Sequence, residues 1–227
     1  MSENVKTIFL KNLKLFSSLT EYELQQISRR VILKEFRKNE IILYEQDFNQ
    51  FMYIIVFGKV RVTQATDDGK EIILAFHESE ESFGEISLID GQSSPATVVA
   101  EDDSLIAIIS KEDFFSLISE HSKIVHNLLQ ILCARLRVSW KQIQMLNLKD
   151  AEKRLKMLFL SFSYESGNKT REGIILNMHI THQSLADMTG LSRETVTRII
   201  NKWKNGGEIT ILKNKSYLLT DQFLSMN

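Results

Sequence analysis

Between Ser192 and Gly206 the chain carries groups that can bond a nucleic acid on one side of a helical pattern and apolar groups on the other. Val196, Ile199, Ile200 and Trp203 fall at i, i+3, i+4 and i+7, one apolar stripe. Arg193, Glu194, Thr197, Arg198 and Asn201 lie away from it, and each can hydrogen-bond a base edge or a phosphate. A helix anchored on one side and armed with Arg and Glu on the other suits the major groove. Two arginines and a glutamate also occur on ordinary solvated helices, so the surrounding elements have to decide.

Those elements are in order. Thr181 is placed to cap a preceding helix whose apolar side is Leu185, Ala186 and Met188. Gly190 can take the left-handed conformation that ends that helix, and Ser192 caps the next, with Glu194 in its first turn where the dipole favours negative charge. Gly206-Gly207 stops the second helix. Glu208 to Leu212 and Ser216 to Thr220, joined around Lys213-Asn214-Lys215, read as a β-hairpin, which makes the whole a winged helix-turn-helix. Residues 149–227 hold 12 Lys and Arg against 8 Asp and Glu, a surplus of four positive charges, while the chain as a whole carries −1. Any nucleic-acid contact is therefore expected in this C-terminal third.

The 227 residues suit one large or two small domains. No apolar run approaches the ~20 residues of a membrane span, so no membrane partner is expected. The start, MSENVKTIFLKNLKLF, is too charged for a secretory signal peptide, which makes a cytoplasmic location the expectation. Cys133 is the one cysteine and permits neither an internal disulfide nor a four-Cys cluster.

In chain order, Phe9 to Arg30 is helical in pattern, with Ser18 or Thr20 as a cap. From Val31 the period changes. Ile41–Tyr44, Met52–Phe57, Val60–Ala65, Glu71–Phe76, Ala96–Ala100 and Ser104–Ser110 are short β-branched and aromatic runs, and Asp67-Asp68-Gly69-Lys70 is a hairpin signal. They imply an antiparallel barrel or roll. Between two of them Phe83 to Leu88 has the pattern of a short helical turn, and Pro95 sits where a loop rejoins a strand. Residue chemistry leaves two readings of that corner: an anion site of N–H groups and hydroxyls, or a turn with no ligand. Asp113 to Leu148 returns to helix. Val125, Leu129, Leu132, Leu136, Ser139, Ile143 and Leu146 step by four and three, a heptad seam that suggests a two-stranded coiled coil. Asn147 to Asp150 breaks the seam as a hinge candidate. Ala151 to Phe162 is helical, Glu165 to Glu172 is a polar loop, and Ile174 to Met178 is strand-like. The fold class expected is α+β: an N-terminal antiparallel β-roll, a cupin-like jelly roll, over 1–123, a dimerisation helix over 124–148, and the winged helix-turn-helix over 149–227.

This order of parts resembles the family of cyclic-AMP receptor and FNR-type bacterial regulators over nearly the whole chain. Three stretches carry the likeness: Phe57-Gly58-Lys59-Val60-Arg61-Val62, Phe83-Gly84-Glu85 with Pro95-Ala96-Thr97-Val98, and Leu191-Ser192-Arg193-Glu194-Thr195-Val196-Thr197-Arg198. The resemblance implies a homodimeric, DNA-binding transcription regulator in which Arg193, Glu194 and Arg198 read a TGTGA-type half-site of an inverted repeat. Thr181, Gln183, Ser192 and Thr195 match phosphate-contacting positions, and His182 stands where an arginine is usual. Lys215 of the wing is expected on a phosphate. For an activator the resemblance also implies RNA polymerase as a partner.

On the input side, Gly84, Glu85 and Ile86 match the start of the family's phosphate-binding cassette, and Ala96 and Thr97 its end. The arginine and serine that grip the cyclic phosphate are replaced by Ser94 and Pro95, which removes a charge-assisted contact. Ser139 matches the hydroxyl that meets the adenine, and Trp140 replaces a small neighbour. The expectation is a regulator that works without cyclic AMP held in the family's way, with no cofactor, or one that senses another small ligand. Haem would need an axial His, for which His77, His121 and His126 are candidates. His179 and His182 lack the company of a metal site. The rival classes are a ligand-binding module acting through a protein partner and an enzyme, and for the enzyme no Walker, G-x-S-x-G, H-E-x-x-H or Rossmann motif occurs.

Overall fold

Strand β3 (Phe51–Phe57) organises the N-terminal half because its side chains alternate between two cores. Tyr53 and Ile55 point into one cluster with Phe36, Leu43, Val60, Phe83, Val98, Ala100 and Ile106. Met52 and Ile54 point into another with Leu10, Leu13, Phe16, Leu24, Ile27, Phe114, Leu117, Ile124 and Leu128. In the computed structural model, which describes residues 3–66, 71–177, 180–212 and 216–225, the chain forms two units, Met1–Arg137 and Val138–Asn227.

The first unit has two four-stranded sheets, antiparallel throughout. One runs β1 (Ile32–Phe36), β8 (Ser104–Ser110), β3, β6 (Ser82–Phe83); the other runs β2 (Ile41–Leu43), β7 (Thr97–Ala100), β4 (Lys59–Ala65), β5 (Glu71–Glu78). The first cluster above lies between the sheets and the second lies under helices, which is the jelly-roll arrangement of the expected α+β class. The helices are α1 (Glu3–Asn12), α2 (Glu21–Ser28), α4 (Lys111–Glu120) and the start of α5 (Ser122–Leu146), with α3 (Glu85–Asp90) at the corner after β6. Thr20 caps α2 in a capping box with Glu23.

Several expectations are corrected. The helical stretch after residue 113 is two helices, because His121 is extended at φ −129, ψ 92. Phe114, Leu117, Ile124 and Leu128 keep helical spacing across that break, so the pattern hides it. Phe9 to Arg30 is likewise broken, by the single 3-10 turn Lys14–Phe16. Strand β1 was not among the expected runs, since four of its five side chains are exposed or half-exposed. The hairpin signal at residues 67–70 lies outside the described residues.

The second unit comprises α6 (Ala151–Ser166), β9 (Gly167–Thr170), β10 (Gly173–Leu176), α7 (His182–Thr189), α8 (Arg193–Asn205), β11 (Ile209–Ile211), β12 (Tyr217–Leu219) and α9 (Asp221–Ser225). The polar segment expected as a loop is instead the end of α6 and an edge strand, β9. It pairs through its backbone with β10, so its outward polar side chains carry no strand pattern. Gly173 has φ 134, and a Cβ there would lie 2.0 Å from Leu219 O, so the sheet needs glycine at this point. The sheet order is β11-β12-β10-β9, and β11 and β12 are the stem of the wing, whose tip with Lys215 falls outside the described residues.

An aromatic cluster holds this unit together. Phe159 of α6 meets Trp203 at 5.6 Å, Tyr217 at 5.2 Å and Phe223 at 6.2 Å, all edge to face. Phe159→Ala should lower the unfolding free energy of the C-terminal unit by about 3–5 kcal/mol, read as an earlier urea midpoint when Trp203 fluorescence is followed.

Candidate nucleic-acid interface and sensor corner

The two helices of the turn are capped as their sequence requires. Thr181 Oγ1 accepts from Ser184 N–H at 3.0 Å, and Ser192 Oγ accepts from Thr195 N–H at 3.2 Å. Gly190 ends α7 in the left-handed conformation at φ 63, its N–H bonded to Ala186 O. These caps place two helix N-termini, with Thr181, Gln183, Ser192 and Thr195 on their first turns, where N–H groups favour phosphate. Gln183 is exposed and donates to Asp187 at 2.7 Å.

Val196, Ile199, Ile200 and Trp203 are all at most 1% exposed, so α8 is seated on its apolar stripe. The indole N–H of Trp203 donates to Glu152 Oε1 at 2.9 Å, and Lys202 Nζ reaches the same carboxylate at 2.7 Å. The Lys202 hydrogen bond holds that carboxyl below its usual range. Opposite the stripe lies a shallow depression lined by α8 alone: Arg193, Glu194, Thr197, Arg198, Asn201, Lys202 and Asn205. Hydrogen bonds from its own backbone N–H and from Ser192 keep Glu194 below the usual carboxylate range, so it is an acceptor at neutral pH. The structure thus brings Arg193, Glu194, Arg198 and Asn201 to one exposed face, two arginines suited to guanine and one carboxylate suited to cytosine.

His182 is half-buried at the start of α7. Its Nδ1 lies 2.8 Å from Thr197 Oγ1, and the Thr197 hydroxyl donates to Arg193 O at 2.9 Å. Which of His182 Nδ1 and Thr197 Oγ1 donates to the other follows the ring's tautomer. Burial, and then the Arg193 charge, hold the imidazole below its usual 6.5. The hydroxyl of Thr197, expected to bond a base or phosphate, has two hydrogen-bond partners within the motif. Lys215 and His179 lie outside the described residues.

Arg154 was not singled out by its sequence context. Its Nη2 donates to Leu148 O at 2.8 Å and its Nη1 to Thr189 O at 3.0 Å, tying the 147–150 turn to the end of α7. Asp150 of that turn caps α6 through Glu152 and Lys153 N–H groups.

In the N-terminal unit, Gly84 turns at φ 87 into α3 and accepts from Asn49 Nδ2 through its carbonyl. Glu85 follows, 1% exposed, and Arg135 of α5 donates to its Oε1 and to Ser82 O. Glu85 Oε2 has no hydrogen-bond partner among the described residues. Ile86 is about half exposed. Ser94 is buried and closed on its own loop: Oγ donates to Ala96 O at 2.9 Å, its N–H to Asp47 O, and its carbonyl accepts from Gln46. Pro95 O accepts from Gln64 at 2.7 Å, and Thr97 Oγ1 from Glu45 N–H at 3.0 Å. The hydroxyls of Ser94 and Thr97 thus each make a bond within the first unit. Arg135 stands one helical turn before Ser139, and an arginine beside an apolar seam was the signal available for it. Ser139 and Trp140 belong to the second unit, where both are exposed. Among the haem candidates, His77 Nδ1 is 3.3 Å from Glu81, His121 Nδ1 is 3.4 Å from Glu23, and His126 Nε2 is 3.0 Å from Gln130. Among the described residues no group of three metal-ligating side chains occurs, and no helix is long and apolar enough to cross a membrane.

Residues 33–121 match the cyclic nucleotide-binding domain, and residues 153–222 match the Crp-like helix-turn-helix domain. The chain is 30% identical over 203 residues to the cyclic AMP receptor protein of Thermus thermophilus, covering 89% of this chain and 90% of that one. It is 26% identical to the global nitrogen regulator of Synechocystis, covering 81% and 83%. The structure of the Thermus thermophilus catabolite activator protein aligns with a TM-score of 0.55 at 27% identity, over 93% of this chain and 95% of that one.

The tie between His182 and Thr197 has a pH consequence. Because the folded state holds His182 below 6.5, the stability it contributes is complete above that pH and is lost as pH falls through the lower folded value. An NMR titration of the ring should show a midpoint below 6.5, and Arg193→Ala should move it upward.

Proposed function

The chain belongs to the Crp/Fnr family of transcription regulators, with a helix-turn-helix DNA-binding domain, and on that premise we propose that it acts as a homodimer reading a TGTGA-type inverted repeat. The observation that carries the reading is the exposed face of α8, where Arg193, Glu194 and Arg198 make no ion pair among the described residues, opposite a fully buried stripe. Arg193 and Arg198 each offer a fork to guanine, and ionised Glu194 accepts from a cytosine amino group. The family is not one of enzymes, and the regulator's place is with DNA in the cytoplasm. RNA polymerase is the second partner of any activating form.

Self-association is supported by α5. Leu129, Leu136, Ile143 and Leu146 of the seam are between 48% and 58% exposed, a run of apolar side chains that water disfavours and a second copy of the same helix covers. Val125 and Leu132 are half-buried, and Ser139 is the polar member. Two recognition helices held about one DNA turn apart, ~34 Å, then match the two half-sites. The turn at Asn147–Asp150 is the hinge through which a signal shifts the two helices between ready and unready positions.

The reading excludes cyclic AMP held in the family's manner. Ser94 and Pro95 offer no cation to a phosphate, and Ser94 is closed on Ala96. Relatives of similar breadth are named for cyclic AMP and for nitrogen, so membership does not set the signal. A second reading, an effector of another kind, is favoured by the unpaired, buried Glu85 Oε2, which suits a neutral hydrogen-bond donor.

In a fluorescence-anisotropy titration, a duplex with the repeat should bind two chains and a scrambled duplex should bind far more weakly. Arg193→Ala should cost ~1–3 kcal/mol on the repeat. Equal affinity for the two duplexes would end the sequence-specific reading. Calorimetry with cyclic AMP should give no binding heat, and a saturable isotherm would restore the family's signal.

A further inference from the structure

Arg135 and Trp140 flank the heptad seam of α5. With Leu129, Leu132, Leu136, Ser139 and Ile143 alternating between a and d, Arg135 falls at g and Trp140 at e of the next heptad. In a parallel coiled pair these are the places that face each other across the seam, g of one copy against e of the other. A parallel pair also sets Ser139 opposite its own copy, so the polar member of the seam meets no leucine. Trp140 is 58% exposed, a large apolar ring left to water. The Arg135 side chain is partly covered, at 26% exposed. Its Nη1 donates to Glu85 Oε1 and its Nη2 to Ser82 O. Such bonds lie in the plane of the guanidinium and leave its flat faces to stack. Glu85 already compensates the charge, so a ring across the seam suits this position better than a second carboxylate.

We infer that in the dimer the indole of Trp140 packs over the Arg135 guanidinium of the second copy, twice by symmetry, and closes the Glu85 corner with a residue that the partner contributes. This rests on the self-association proposed above and deepens it. A cation over an aromatic face is attracted by the ring's quadrupole, and indole is the strongest of the three rings in this respect. The bulk of the ring also removes water from beside the Arg135–Glu85 pair, which strengthens the attraction between the two charges. Seam and corner therefore become one assembly, and the tie from Glu85 to α5 is complete only when two chains meet. A corner closed in this way needs no small molecule to join it to the seam.

The test uses the full chain labelled with 5-fluorotryptophan. Trp140→Phe assigns the fluorine resonances, since Trp203 is the other indole. On dilution through the range where sedimentation equilibrium shows dimer giving way to monomer, the Trp140 resonance should shift and gain a solvent-isotope effect. The buried Trp203 should stay where it is. A mutant cycle then measures the pair. Trp140→Leu should raise the dimer dissociation constant by about 5- to 30-fold more in the wild-type background than in one carrying Glu85→Gln and Arg135→Met, the worth of two cation–π contacts. That background leaves no charge buried alone. If it does not fold, the resonance of the otherwise unaltered chain decides. An equal loss in both backgrounds, or a Trp140 resonance indifferent to dimerisation, would overturn the inference and leave the dimer standing. A chain that stays monomeric at every concentration would overturn the self-association reading and this inference with it.

Discussion

The seating of Trp203 is the constraint on which the output half depends. Its ring is 1% exposed, lies edge to face with Phe159 and Phe223, and donates its one N–H to Glu152. An aliphatic stripe alone would leave α8 some freedom to roll about its axis, whereas an indole with a single donor direction and fixed ring partners does not. The rotation of α8 is thereby set, and with it the outward direction of Arg193, Glu194 and Arg198. Packing dominates here. Burying one large apolar side chain contributes roughly 1.5–3 kcal/mol, while the exposed Lys202–Glu152 pair is worth about 0–1 kcal/mol.

In the sensor half, one buried charge plays a comparable part. Glu85 is removed from water at the start of α3 and is compensated by Arg135 from a helix 50 residues further along. Burying such a pair costs several kcal/mol per ion by desolvation, so it adds little net stability. Its effect is on geometry: the fork of Arg135 meets both Glu85 and Ser82 O, which fixes the first half of α5 against β6 and α3. The corner at α3 is thus tied to α5 by the chain's own side chains. An effector that paired with Glu85 Oε2 would act directly on this tie.

The polar face of α8 is divided by hydrogen bonding. Arg193, Glu194 and Arg198 make no ion pair among the described residues, whereas Thr197 bonds to its own helix and meets His182. This division is invisible in a helical wheel, where all of them occupy one arc. At residue 182 the histidine braces the motif, its Nδ1 2.8 Å from Thr197 Oγ1.

The sequence by itself determined what depends on neighbours within a turn or two of chain. Ser192, Thr181 and Gly190 begin and end the two helices, and the spacing of Val196, Ile199, Ile200 and Trp203 declares which side of α8 is buried. The strand run Met52–Phe57 and the heptad spacing from Val125 to Leu146 are legible for the same reason. The split of that strand between two cores is not, since all seven residues of Phe51–Phe57 are apolar. Only the tertiary structure decided which polar groups meet: His182 with Thr197, Arg154 with Thr189 and Leu148, Arg135 with Glu85, and the backbone of β9 with β10. The physical reason is range. Caps and periodicity are satisfied locally, whereas a hydrogen bond between residues 15, 35 or 50 positions apart exists only once packing has brought the two within about 3 Å.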